Sequence, residues 1–174
     1  MELHIHAPAW ARARTTDWAA AAVAGFAAGA VLMLLELMWA ASTDILSGPW
    51  RISSLVAALA MGPTALENTG PSFGVLAVAL VTHYVLGVVF GLVLGFLIGR
   101  LHSEQSAGMM QVLGVLFGAV LYFINFHVMT QFFPWFTELR GWATLIAHLV
   151  FGMTASLLYW KLARTGASRT ADST

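Results

Sequence analysis

Residues Phe73–Gly99 read FGVLAVALVTHYVLGVVFGLVLGFLIG, and no position in the run is Asp, Glu, Lys, Arg or Pro. At 1.5 Å per helical residue the run exceeds the ~20 residues needed to cross a bilayer core. Three further stretches share its character, Trp18–Ala41, Gly108–Phe133 and Gly141–Trp160, and none has an interior proline. Bulk composition agrees. Hydrophobic residues make up 59% of the 174-residue chain and charged residues 9%, against roughly 25% charged in ordinary globular domains. The expected fold is therefore all-α, a four-helix transmembrane bundle spanning 18–163 with the lipid bilayer as its main partner.

The connections differ in content. Between the first two spans, Pro49 can open a helix and Gly62-Pro63 can close it, while Ile52, Leu55, Val56 and Leu59 recur at helical spacing. This predicts a short amphipathic helix over about 50–61, lying on the membrane surface or capping the bundle, and too short to span. Arg12, Arg14, Arg100, Lys161, Arg164 and Arg169 fall on one side of the four-span topology, and Arg51 and Arg140 on the other. By the positive-inside rule both termini are cytoplasmic. Residues 1–17 then form a cytoplasmic arm, and 164–174, poor in apolar residues, a disordered cytoplasmic tail. The amphipathic helix is placed on the periplasmic side. The first span is read as a retained helix, because no clear signal-peptidase site follows it.

Small residues allow helices to approach closely in lipid. The first span has Gly25 and Gly29 and the third has Gly114 and Gly118. Seven residues beyond Gly29 and Gly118 stand Glu36 and Asn125, almost two turns on and so on the same helix face. In the second span His83 precedes Gly87, Gly91 and Gly95; in the fourth His148 precedes Gly152 and Ser156. The chain thus reads as two similar hairpins, a parallel repeat with an axis along the membrane normal. If the small-residue faces turn inward, Glu36, His83, Asn125 and His148 converge in the periplasmic half, roughly 5 to 15 Å below the interface. His127 lies nine residues from Gly118, about 180° from the glycine face, and joins that site only if the helix is distorted.

Ionisable groups inside a membrane are costly and mark functional sites by default. Two histidines and a carboxylate match the ligand sets of non-haem iron and of zinc, with Asn125 as support. Paired axial ligation of a haem by His83 and His148 is the alternative cofactor reading. Glu36 and the histidines also suit a proton or ion pathway, although no titratable series continues to the cytoplasmic side. An accessory subunit of a larger membrane complex, or a homo-oligomer, with the histidines as interhelical hydrogen-bond donors, stays open. The sequence leans away from an enzyme. It contains no P-loop, no HExxH and no nucleophile elbow. Zero net charge and no cysteine remove a basic nucleic-acid face, thiolate metal sites and cysteine nucleophiles. His4 and His6 read as chance residues of the arm.

Leu35-Glu36, Gly48-Pro49-Trp50-Arg51, Met61-Gly62-Pro63, His83, Asn125-Phe126, Phe133-Pro134-Trp135-Phe136 and His148-Leu149-Val150-Phe151-Gly152 together carry a resemblance. The chain resembles a group of small four-span bacterial inner-membrane proteins of unknown function often labelled sodium:proline symporter. The resemblance implies a four-helix fold in a bacterial inner membrane, and Tyr where this chain has His127, which sets His127 apart from a shared role. It does not imply symport. Sodium–solute symporters resemble long chains with many spans and broken helices.

Overall fold

The computed structural model describes residues 16–42, 48–67, 70–101 and 106–171, with side chains as far as 165. His4, His6 and residues 172–174 lie outside the described residues.

Three of the four long helices begin where a side-chain oxygen takes up a free backbone N–H. Asp17 Oδ1 accepts from Ala20 N at 2.9 Å and opens α1, Trp18–Ser42. Ser72 Oγ accepts from Val75 N at 3.4 Å at the head of α3, Phe73–Leu101. Ser106 Oγ accepts from Met109 N at 3.2 Å at the head of α4, Ala107–Phe123. Between α1 and α3 lies α2, Gly48–Met61. Gly62 ends it with a φ of +81°, a left-handed conformation that favours glycine. A 3-10 turn follows at Pro63–Glu67. The last helix, α5, runs Trp142–Ala171, into the stretch where the sequence predicts a disordered tail. Thr165 Oγ1 bonds back to Leu162 O at 2.8 Å, so a polar residue there still sits within the helical ladder.

Four helices are long and apolar enough to cross a membrane, consistent with a multi-pass membrane protein, and no strand occurs among the described residues. Their outer faces carry Val81, Val85, Val89 and Val93 on α3 and Val112, Leu116 and Val120 on α4, all exposed. Such continuous apolar faces fit lipid rather than water.

Helices α1 and α5 form the central pair; α3 packs on α1, α4 packs on α5, and α3 and α4 barely meet. Hydrophobic burial gives little drive for helix association in lipid, so close backbone packing matters more. A Cβ added to Gly25 would collide with Gly87 O, and one on Gly91 would lie 2.5 Å from Gly25 Cα. On the other pair, a Cβ on Gly114 would collide with Gly152 O, and one on Gly118 with His148 O. Gly95 is closed by Ala21 and the Tyr159 ring. Nearer the chain termini, Ile98, Met110, Ser156 and Tyr159 fill the interior and are almost wholly buried.

The short helix α2 caps one end of this bundle. Its Ala57 and Ala58 pack with Ala65, Val75 and Ala79, burying one face of α2 on the first turns of α3. Arg51 joins it to the far loop: Nε donates to Glu138 Oε2 at 3.0 Å and Nη2 to Oε1 at 2.6 Å, and Nη1 donates to Leu66 O. The sequence left open whether this helix lies on the membrane surface or on the bundle; its buried face lies on the bundle.

Gly152→Ala should lower stability by about 3 kcal/mol or more, because its Cβ meets backbone that cannot move aside. Gly108→Ala, with nothing within 4 Å of the new atom, should be neutral. Thermal loss of monodispersity in detergent, measured for both variants, checks the contrast.

Candidate membrane-embedded site

Where the glycine contacts end, the helices separate and larger side chains surround a cavity of about 480 Å³. Glu36 from α1, His83 from α3, Asn125 beyond α4 and His148 from α5 all line it. Apolar groups supply nearly all the rest, among them Leu32, Leu59, Leu86, Phe90, Phe136 and Phe151. Residues of α2 and of the 133–139 turn close the end.

Each histidine is held by a carbonyl, and a carbonyl can only accept. His83 Nε2 therefore donates to Gly29 O, at 2.8 Å, across the α1–α3 contact. The close approach of the two helices puts this carbonyl within reach: a Cβ on Gly29 would stand 3.6 Å from Gly87 Cα and 3.8 Å from His83 Nε2. His148 Nδ1 donates to Thr144 O of its own helix, at 2.9 Å. The neutral rings are thus opposite tautomers, leaving Nδ1 of His83 and Nε2 of His148 as unprotonated acceptors. His148 is 5% exposed and packs edge-on to Phe126, at 5.2 Å and 85°, and to Tyr122, at 6.1 Å and 71°. Glu36 is half-buried, and among the described residues its carboxylate has no hydrogen-bond or ion-pair partner. The Asn125 amide likewise has none there.

The winding changes at Asn125. After Phe123 the chain forms a π-helical turn, Ile124–Val128, in which Met129 N–H reaches Ile124 O. A 3-10 turn follows at Met129–Gln131, so the third apolar run is not the continuous α-helix to residue 133 that the sequence suggests. Arg140 fastens the turn, its Nε donating to Phe126 O and its Nη2 to Thr130 Oγ1 at 3.0 Å. π turns recur at functional sites. The distortion does not bring in His127, which is exposed and stacks on Phe123 with rings 5.2 Å apart and 9° from parallel.

A second cavity of about 390 Å³ adjoins the first at the α2 end of the bundle. Glu36 and Leu139 line both. Trp39, Arg51, Arg140, Trp142 and Thr144 are among its other walls. Sequence reasoning missed Arg51, Glu138 and Arg140 as structural fasteners of the site. Their sign, lone charges shortly after a Pro-Trp pair (Pro49-Trp50 and Pro134-Trp135), was legible, but their partners were not.

The metal expectation gains no support from this geometry. Among the described residues no three His, Asp or Glu side chains are grouped so that they could hold a metal ion. Lining one cavity is a looser condition than the ~2 Å bonds a metal ion needs from every ligand at once.

At a pH where both rings are neutral, ¹⁵N spectra of histidine-labelled protein should show His83 as the Nε2–H tautomer and His148 as the Nδ1–H tautomer. Two rings of the same tautomer would contradict these hydrogen bonds. Arg140→Gln should cost about 2 kcal/mol of stability, the usual scale for hydrogen bonds from a charged donor, and should shift the Asn125 amide resonance. Unchanged stability and an unchanged resonance would show that Arg140 does not hold the turn.

No protein-family model, no curated protein and no solved structure matches the chain.

Proposed function

We propose that this is a bacterial inner-membrane protein that binds a small, largely apolar molecule inside its bundle, in a cavity facing the periplasm, with both termini in the cytoplasm. One observation carries the reading. Polar side chains from four separate segments line one cavity of about 480 Å³, and their remaining polar atoms are not used by the described residues. Ligand sites have this make-up: a volume of roughly 300–1,000 Å³, mostly apolar walls and a few convergent polar groups. Polar groups retained only to tie helices together would be expected to spend their hydrogen bonds on other helices. Only the His83–Gly29 bond does so among these four residues.

The paired glycine contacts support a cavity flanked by two similar helix pairs, although α1 packs on α5 far more closely than α3 on α4. Gly25 meets Gly87 as Gly114 meets Gly152, and His83 and His148 stand four residues before the second glycine of each pair. The distribution of Lys and Arg supports the orientation. A continuous ion path through one chain has less support, since Tyr159, Met110 and Ile98 fill the bundle beyond the glycine contacts.

The test is binding of 2-(1-naphthyl)ethanol to protein in mild detergent, by equilibrium dialysis against matched micelles. Saturable binding at about one equivalent is expected. Leu59→Trp and Leu86→Trp, which fill the cavity from two different helices, should each weaken it at least tenfold. Binding that neither substitution alters would place the probe elsewhere and end the proposal.

A further inference from the structure

The polar groups around the cavity are biased towards accepting hydrogen bonds. His83 Nε2 and His148 Nδ1 are already committed as donors to Gly29 O and Thr144 O. Each neutral ring therefore has only an acceptor left. An ionised Glu36 is acceptor-only as well. Of the polar side chains lining the cavity, only Asn125 and Thr82 could supply a donor. A molecule satisfying this wall must bring N–H or O–H groups of its own.

Charge narrows the choice further. No Lys or Arg is among the residues lining the inner cavity. An ionised carboxylate in such surroundings is costly unless a counter-charge joins it. Of the two arginines in the adjoining vestibule, Arg51 is charge-paired, whereas Arg140 is held by neutral oxygens and faces the vestibule as a cation. Arg51 is paired bidentately with Glu138. Arg140 is bonded to Phe126 O and Thr130 Oγ1. Among the described residues, then, no cationic side chain is paired with Glu36. Around the same cavity stand five phenylalanines, Phe90, Phe126, Phe133, Phe136 and Phe151, and the faces of such rings attract cations. A transition-metal ion fits poorly, because no three His, Asp or Glu side chains are grouped among the described residues.

We infer that the ligand is a lipophilic organic ammonium ion, held by Glu36 as its counter-charge and reaching the cavity through the vestibule that shares Glu36 and Leu139 with it. This deepens the ligand-binding reading and rests on it. The ammonium N–H groups would face Glu36 and the free histidine nitrogens. The apolar body would occupy the space between the phenylalanines and the leucines of α2 and α3. Because Glu36 borders both cavities, a cation entering from the vestibule meets the carboxylate before it meets the apolar interior.

The experiment compares three probes of one skeleton by equilibrium dialysis at about pH 7.5, where the amine is charged and the acid ionised. They are 2-(1-naphthyl)ethylammonium, 2-(1-naphthyl)ethanol and 1-naphthylacetate. The ammonium ion should bind wild-type protein at least about tenfold more tightly than the alcohol, as expected for charge-assisted hydrogen bonding, and the carboxylate should bind most weakly. Glu36→Gln should bring the ammonium ion to within about twofold of the alcohol, while Glu36→Asp should keep its preference. Equal binding of the alcohol or the carboxylate to wild type overturns the inference, and so does an ammonium preference that survives Glu36→Gln. Should Glu36→Gln fail to purify as a monodisperse protein, the ranking of the three probes on wild type decides the matter without it. The two proposals fail separately. If the alcohol binds, is displaced by the tryptophan variants and is matched by the ammonium ion, only the cation inference falls. If none of the three probes binds wild type, the cavity is not a ligand site and both fall.

Discussion

Backbone-to-backbone approach at a few glycines sets the shape of this bundle. Gly25 lies against Gly87 and Gly91, and Gly114 against Gly152, with no room for a Cβ at the closest points. Helices in contact this tightly at one level must diverge at another when larger residues follow on the same faces. Along α1 the face runs from Gly25 and Gly29 to Leu32 and Glu36; along α4 it runs from Gly114 and Gly118 to Leu121. The cavity opens at those larger residues. Close packing towards the termini and an internal space towards α2 are two results of one gradient in side-chain size.

That space is only partly enclosed, and α2 and the 133–139 turn form one end of it. The α2 helix has one apolar face, which it buries on α3, and its Arg51 reaches the 134–139 turn through Glu138. Both partners of that pair are partly exposed, at 29% and 46%, so its energetic weight is small, about 0–1 kcal/mol. Its geometric effect is larger, since a bidentate pair fixes the spacing between α2 and the turn. Arg140 acts at shorter range. By bonding Phe126 O and Thr130 Oγ1 it holds the π turn, in which Asn125 lines the cavity and His127 lies outside, stacked on Phe123.

The two histidines illustrate how similar sequence contexts become chemically different groups. Both precede a glycine by four residues, and both line the cavity. His83 spends a nitrogen on another helix because the α1–α3 approach brings the Gly29 carbonyl to it. His148 faces Gly118 across the α4–α5 contact through its own backbone carbonyl, and its ring turns back to Thr144. One therefore keeps Nδ1 and the other Nε2 for whatever occupies the cavity. Chemistry that needed two identical ligands would not be served by this arrangement, whereas two acceptors approaching one ligand from different directions would be.

Much of the architecture was determined by local sequence. Uninterrupted apolar runs are enough to specify four long helices, because in a bilayer the backbone has to bond within the segment. Glycine and serine at the ends set the starts and stops, as at Ser72, Ser106 and Gly62. The glycine positions lie at the helix contacts, and Glu36 and Asn125 line the same cavity. Tertiary structure alone decided the rest: the π turn, the partners of Arg51 and Arg140, the opposite tautomers, and a volume that four polar residues line without forming a metal site among the described residues. Helical periodicity reports which way a residue points to within a quadrant. The chemistry of the site depends on a few ångströms and on which carbonyl is within reach, and those are settled only when the helices pack together.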